Sequence, residues 1–287
     1  MTDNAKNNAK GTAAPAESLV GRIKQNPKMK WLTLGIAAAV VAVAGYMLYG
    51  KFVKEPAEEK AQIQLNEGMQ LMQQGISQYQ MVAQLDATPD SVLLPTLKTQ
   101  GVINDSVPAD SIPVLIKQYR DTQKQSVTIA FDQALKGHQT FPGLIKLAKG
   151  SGAPANAATY LAGICYYYMG NYKEAINALE DFSPKSDESI SPMALYALAN
   201  CYACDNQLNK AVDTFKKAAD KADNEAISPV CLIEAAKLLE SQNKKDEAHA
   251  LYEQVQTDYP QFGSNQNGMN GGMIMPTEIE KYLERTK

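Results

Sequence analysis

Histidine, cysteine and tryptophan are scarce in this chain, with two, four and one copies in 287 residues. That scarcity removes the usual routes to chemistry. His138 and His249 stand in separate helical segments without catalytic or ligand context. A glycine-rich phosphate loop, an HExxH helix and a nucleophile elbow are all missing. No enzyme is expected, and no cofactor or metal. Cys201-Tyr-Ala-Cys204 has the CxxC spacing of redox and metal sites, but both residues fall within one helix, where a bridge between them would distort the backbone. Cys165 and Cys201 recur at equivalent places in two helical units, where small apolar residues suit packing, so buried thiols are expected.

Positive charge is in short supply over most of the chain. Residues 1–54 hold eight of the 28 Lys/Arg and two of the 31 Asp/Glu, a net of +6, which leaves the remainder at −9. A domain that acidic matches neither nucleic acid nor an anionic membrane surface.

Long hydrophobic runs are rare too, and the one present is informative. Residues 31–49, WLTLGIAAAVVAVAGYMLY, are nineteen positions without a charge. At 1.5 Å per residue they rise roughly the ~30 Å of a bilayer core. Trp31, Tyr46 and Tyr49 stand like interfacial anchors at its ends. Residues 29–53 are therefore expected to be a transmembrane helix. A cleaved signal peptide ending at Ala42-Val43-Ala44 is the alternative; the long leader before the run and its continuation to Tyr49 favour an anchor. Six basic residues precede the run and only Lys51 and Lys54 follow closely. This bias puts a disordered tail, 1–28, in the cytoplasm and the rest outside, which in a Gram-negative inner membrane means the periplasm.

Beyond the run, residues 54–86 read as an amphipathic helix, with Leu65, Met69, Met72, Ile76, Tyr79 and Ala83 forming a narrow apolar stripe. The stripe either packs on the first hairpin of the next region or serves as a coiled-coil seam for a homo-oligomer; packing is favoured. Gly68 and Gly75 are expected to weaken this helix. Residues 87–152 contain Pro89, Pro95, Pro108 and Pro113, predicting an excursion with a short helix near 94–99. A helix over 114–135 then ends at Gly137, and a short one over Leu144–Ala148 completes a degenerate hairpin.

Residues 153–262 hold three copies of one pattern. They read Gly163-x-x-Tyr166…Gly170-x-Tyr172-x-x-Ala175, Ala199-x-x-Tyr202…Asn206-x-Leu208-x-x-Ala211 and Ala236-x-x-Leu239…Asn243-x-Lys245-x-x-Ala248. Ala175, Ala211 and Ala248 recur at intervals of 36 and 37, with the surplus over a regular period between hairpins, around 183–191 and 224–228. Such a period means stacked helical hairpins, each burying its apolar face on its neighbours. Small Gly163, Ala199 and Ala236 let paired helices approach, and Gly170, Asn206 and Asn243 suit a left-handed helix end. Residues 263–287 should be a Gly/Asn/Met-rich loop and a capping helix. Met269, Met273 and Met275 invite a soft-metal reading, but without His or Cys nearby a flexible loop is the better one.

This pattern resembles the tetratricopeptide repeat (TPR), which implies an all-α solenoid of antiparallel hairpins that binds polypeptide and does no chemistry. By the register of that family, the concave face carries Tyr160, Ile164, Tyr167 and Tyr168, then Met193, Tyr196 and Asn200, then Val230, Ile233 and Lys237. The Lys/Asn clamp of chaperone-binding members is missing, since Tyr160 and Ile164 stand where it would begin. In order of parts and topology, the chain is similar to the YfgM-type proteins, ancillary to the Sec translocon and linked to periplasmic chaperones. The resemblance implies a membrane adaptor for client or chaperone polypeptide. The alternatives are a self-associating membrane scaffold, or an organelle-anchored TPR receptor with a cytosol-facing domain, which free cysteines would suit.

Overall fold

The computed structural model describes residues 42, 45–183, 190–262 and 276–287. The chain divides into two compact units, Met1–Ala57 and Glu58–Lys287. In the first, residues 45–57 are helical, with a π-helical turn at Gly50–Lys54. Tyr46, Met47, Leu48, Tyr49, Phe52 and Val53 are each more than half exposed. Most of the expected span at 29–53 lies outside the described residues. Among the described residues, no helix is long and apolar enough to cross a membrane. The tail at 1–28 and the loop at 263–275 also lie outside them.

In the described residues of the second unit, all regular structure is helical. Helix α1 spans Glu55–Ala87, α2 Asp90–Thr99, α3 Ile112–Lys136 and α4 Leu144–Ala148. Helix α1 carries the expected apolar stripe, but turned. Leu65, Gly68, Met72, Gly75 and Val82 are buried, while Ala83 is exposed. The turn arises at the two glycines, which are contact points in the helix and not merely weak links in it. A Cβ on Gly75 would meet the Phe131 ring at 2.7 Å, and one on Gly68 would meet Leu144 at 2.6 Å. Leu65 and Met72 join Phe131, Phe141, Leu144 and Cys165 in one core, so the stripe packs within the chain instead of forming a seam between chains.

The proline-containing excursion is ordered by a small core of its own, Leu93, Leu97, Ile103 and Ile116. Helix α2 begins earlier than expected and accommodates Pro95 in its interior, at the cost of one helical hydrogen bond. Arg120 on α3 fastens the turn between α1 and α2. It donates to the Thr88 carbonyl at 2.6 Å and pairs with Asp90 at 2.7 Å.

The three hairpins come next, as α5 (Gly152–Tyr168) with α6 (Tyr172–Glu180), α7 (Ile190–Cys204) with α8 (Leu208–Ala222), and α9 (Ser228–Ser241) with α10 (Lys245–Asp258). Each first helix ends as the sequence foretold: Gly170, Asn206 and Asn243 have φ of 76°, 61° and 60°. Ala175, Ala211 and Ala248 are fully buried where the paired helices meet. A Cβ at Gly163 would lie 2.5 Å from Leu179 Cγ, which fixes how closely α5 and α6 approach. Helix α11 (Pro276–Thr286) packs Ile279 and Leu283 into the core of the last hairpin and keeps its polar face outward.

Candidate protein-binding groove

Helix α5 places Tyr160, Ile164, Tyr167 and Tyr168 on one face, at spacings of four, three and one residues. None of the four is fully open: Tyr160, Ile164 and Tyr167 pack on the core shared with the next first helix, α7, and Tyr168 on the upstream core. Tyr160 and Ile164 lie partly buried between the upstream core and the core shared with α7. The Tyr160 ring meets Phe182 edge-on at 6.2 Å. Tyr167 touches the Tyr168 ring at 5.5 Å and the Tyr172 ring at 6.0 Å. Tyr168 leans toward the upstream helices, stacked on Phe131 at 5.7 Å with Tyr79 of α1 edge-on at 5.1 Å. Burial raises the hydroxyls of Tyr160, Tyr167 and Tyr168 above the usual tyrosine range.

On α7, Met193 is 53% exposed and is the most open of the groove residues. Tyr196 is half-buried, its ring edge-on to Phe215 at 5.4 Å, and burial raises its hydroxyl. Asn200 donates its amide to the Tyr196 carbonyl at 2.9 Å, so it is already engaged in its own helix.

The third hairpin differs. Ile233, expected on the open face, is fully buried, in the same core to which α11 contributes Ile279 and Leu283. Val230 is half-buried. Lys237 bonds Glu234 at 2.8 Å; burial would lower it, and the Glu234 carboxylate holds it above its ordinary value. Glu240 takes Arg285 of α11 at 2.7 Å, and Tyr282 stacks on Tyr252 at 5.0 Å. The groove is therefore closed at its C-terminal end by the chain itself.

Two contributors escaped sequence reasoning. Tyr79 extends the aromatic row onto α1, although its signal was only a place in the stripe. Tyr172, at the start of α6, extends it the other way, with its hydroxyl raised first by neighbouring Cys204 and then by burial. The cysteines are all free. Cys165, Cys201 and Cys231 are buried, and burial pushes each thiol up to about 12. Cys204 departs from the expectation of buried thiols: it is the last residue of α7 and is exposed. Among the described residues no group of three or more His, Cys, Asp or Glu is placed to hold a metal ion.

The family model of the tetratricopeptide repeat matches residues 157–186 and 231–261. These are the first and third hairpins, and the unmatched middle hairpin repeats their helix–turn–helix form. No curated protein and no solved structure matches the chain. The described chain thus contains TPR repeats within an all-helical, TPR-like solenoid. Such repeats serve protein interaction and are typically non-enzymatic, and the stack presents its partly open aromatic face on the first two hairpins.

Proposed function

We propose that this protein is a membrane-anchored adaptor that holds client or chaperone polypeptide along the aromatic face of α5 and α7. The observation that carries this reading is the set of half-buried tyrosines on α5 and α7, with exposed Met193 beside Tyr196 on α7. Such side chains offer broad contact area at small entropic cost and dominate binding energy where they are partly desolvated. The proposed binding residues are Tyr160, Ile164, Tyr167, Tyr168, Met193, Tyr196 and Asn200, with Lys237 at the closed end.

The anchor rests on the uncharged run at 31–49, and six large apolar side chains exposed between Tyr46 and Val53 fit a helix entering lipid. The excess of Lys and Arg before the run favours a cytoplasmic N-terminus and an extracytoplasmic stack. That order of parts supports a role beside the Sec translocon in a bacterial inner membrane.

Two measurements test the reading. The protein should resist carbonate extraction, and protease added to spheroplasts should digest the stack. Extraction by carbonate would remove the anchor, and protection in intact spheroplasts would turn the stack to the cytosol. Tyr160→Ala with Tyr196→Ala should abolish capture of polypeptide; undiminished capture would move binding off this face.

A further inference from the structure

At the C-terminal end of α5, between α1 and α3, lies a notch of about 310 Å³. Its walls include Tyr79, Val82, Val127, Tyr168 and Met169. The volume is at the small end for ligand sites, which run from about 300 to about 1,000 Å³, and suits one or two apolar side chains. Tyr168 belongs both to this notch and to the row of tyrosines on α5, and Tyr79, 43% exposed, meets it edge-on. Tyr168 is the residue that notch and row have in common.

Charge around this surface is settled internally. Asp86 and Lys124, which also line the notch, bond one another at 2.8 Å. By register, the groove positions of the first two hairpins carry no charged residue. In the third hairpin Lys237 bonds Glu234 and Glu240 bonds Arg285. A charged side chain entering the notch would lose water against buried Val82 and Val127 and find no unpaired charge there, because Asp86 and Lys124, both exposed, already pair with each other. The site thus discriminates against charge.

We infer that the notch between α1, α3 and α5 takes an apolar side chain from an uncharged, extended polypeptide that continues along the tyrosine row. This rests on the polypeptide-binding function proposed above.

The test uses the full-length protein in detergent and three labelled synthetic peptides sharing the same Leu and Tyr residues. Their remaining positions are Ser and Asn, Glu and Ser, or Lys and Ser. Fluorescence anisotropy should show the neutral peptide binding at least about tenfold tighter than either charged one. Its Kd should change less than about twofold between about 50 and about 500 mM salt. Ala83→Trp, which fills the notch from an exposed position on α1, should weaken the neutral peptide about tenfold without lowering Tm. Thr128→Trp fills it from exposed α3 and should do the same if the first variant fails to fold. Unchanged affinity in a folded Trp variant overturns the inference, and so does preference for a charged peptide with a steep salt dependence. If a charged peptide binds and Tyr196→Ala weakens it, the groove stands and the notch proposal falls. Should no peptide bind at any charge, both fall.

Discussion

Tyr160 on α5 and Ile233 on α9 occupy the same place in their hairpins, yet one helps line an accessible face and the other is sealed. The difference comes from the helix laid against each of them. Helix α7 packs beside α5 and leaves Tyr160 half-buried, whereas α9 shares its core with Ile279 and Leu283 of α11, which also fastens Arg285 to Glu240. A repeat position therefore has no fixed role as surface or core; the neighbouring helix decides it. In this stack the neighbours leave an aromatic, uncharged surface near the upstream helices and close the far end.

The largest effect should come from the contact that both ends share in kind. Gly163→Leu drives a side chain into Leu179 and should cost about 3 kcal/mol or more, lowering the melting temperature of the whole stack because each hairpin supports the next. A melt like that of the parent protein would mean that α5 and α6 are not held at this spacing.

Next in size, Leu283→Ala should cost about 2 kcal/mol and loosen α11. Hydrogen exchange should then speed up over α11 and around Ile233 while α5 keeps its protection. Equal loss at both ends would erase the contrast between them. Arg285→Ala, removing a pair that is half exposed on the arginine side, should cost less than about 1 kcal/mol and produce a weaker version of the same pattern.

The smallest effect is chemical. Iodoacetamide at mildly alkaline pH should label Cys204 alone, since the other three thiols are buried. Those three are held protonated up to about 12 in the folded chain, against 9.0 as the ordinary value. The unfolded chain therefore releases these protons first as pH rises. Their contribution to stability is complete below about pH 9 and declines between there and about pH 12. Urea midpoints that hold steady over that interval would contradict the burial of these thiols.

Much of this was legible in the sequence because it depends on local chemistry. Asn206 and Asn243 end their helices in the left-handed region, where asparagine is tolerated, and Ala175, Ala211 and Ala248 are buried where larger side chains would separate the pair. Helix α4 begins and ends where Pro142-Gly143 and its apolar run foretold. What escaped depends on partners remote in sequence. Periodicity located an apolar stripe on α1, but only Phe131 and Leu144 on other helices show why Gly68 and Gly75 form its centre. The register put Tyr168 and Ile233 on one face; Phe131 and Tyr79 draw the first upstream, and the second is buried in the core that α11 joins. The notch needs three helices at once, so no single pattern announces it.

The central claim is that the partly open aromatic face of the first two hairpins is where polypeptide binds. A photo-activatable phenylalanine at Met193, the most exposed groove residue, would test it in the full chain, with the same probe at exposed Lys217 on α8 as the contrast. Cross-linked polypeptide from position 193 and none from 217 is the expected result, with the 193 adduct lost in the Tyr160→Ala, Tyr196→Ala background. Adducts from 217 alone, or an adduct at 193 indifferent to loss of both tyrosines, would contradict the account.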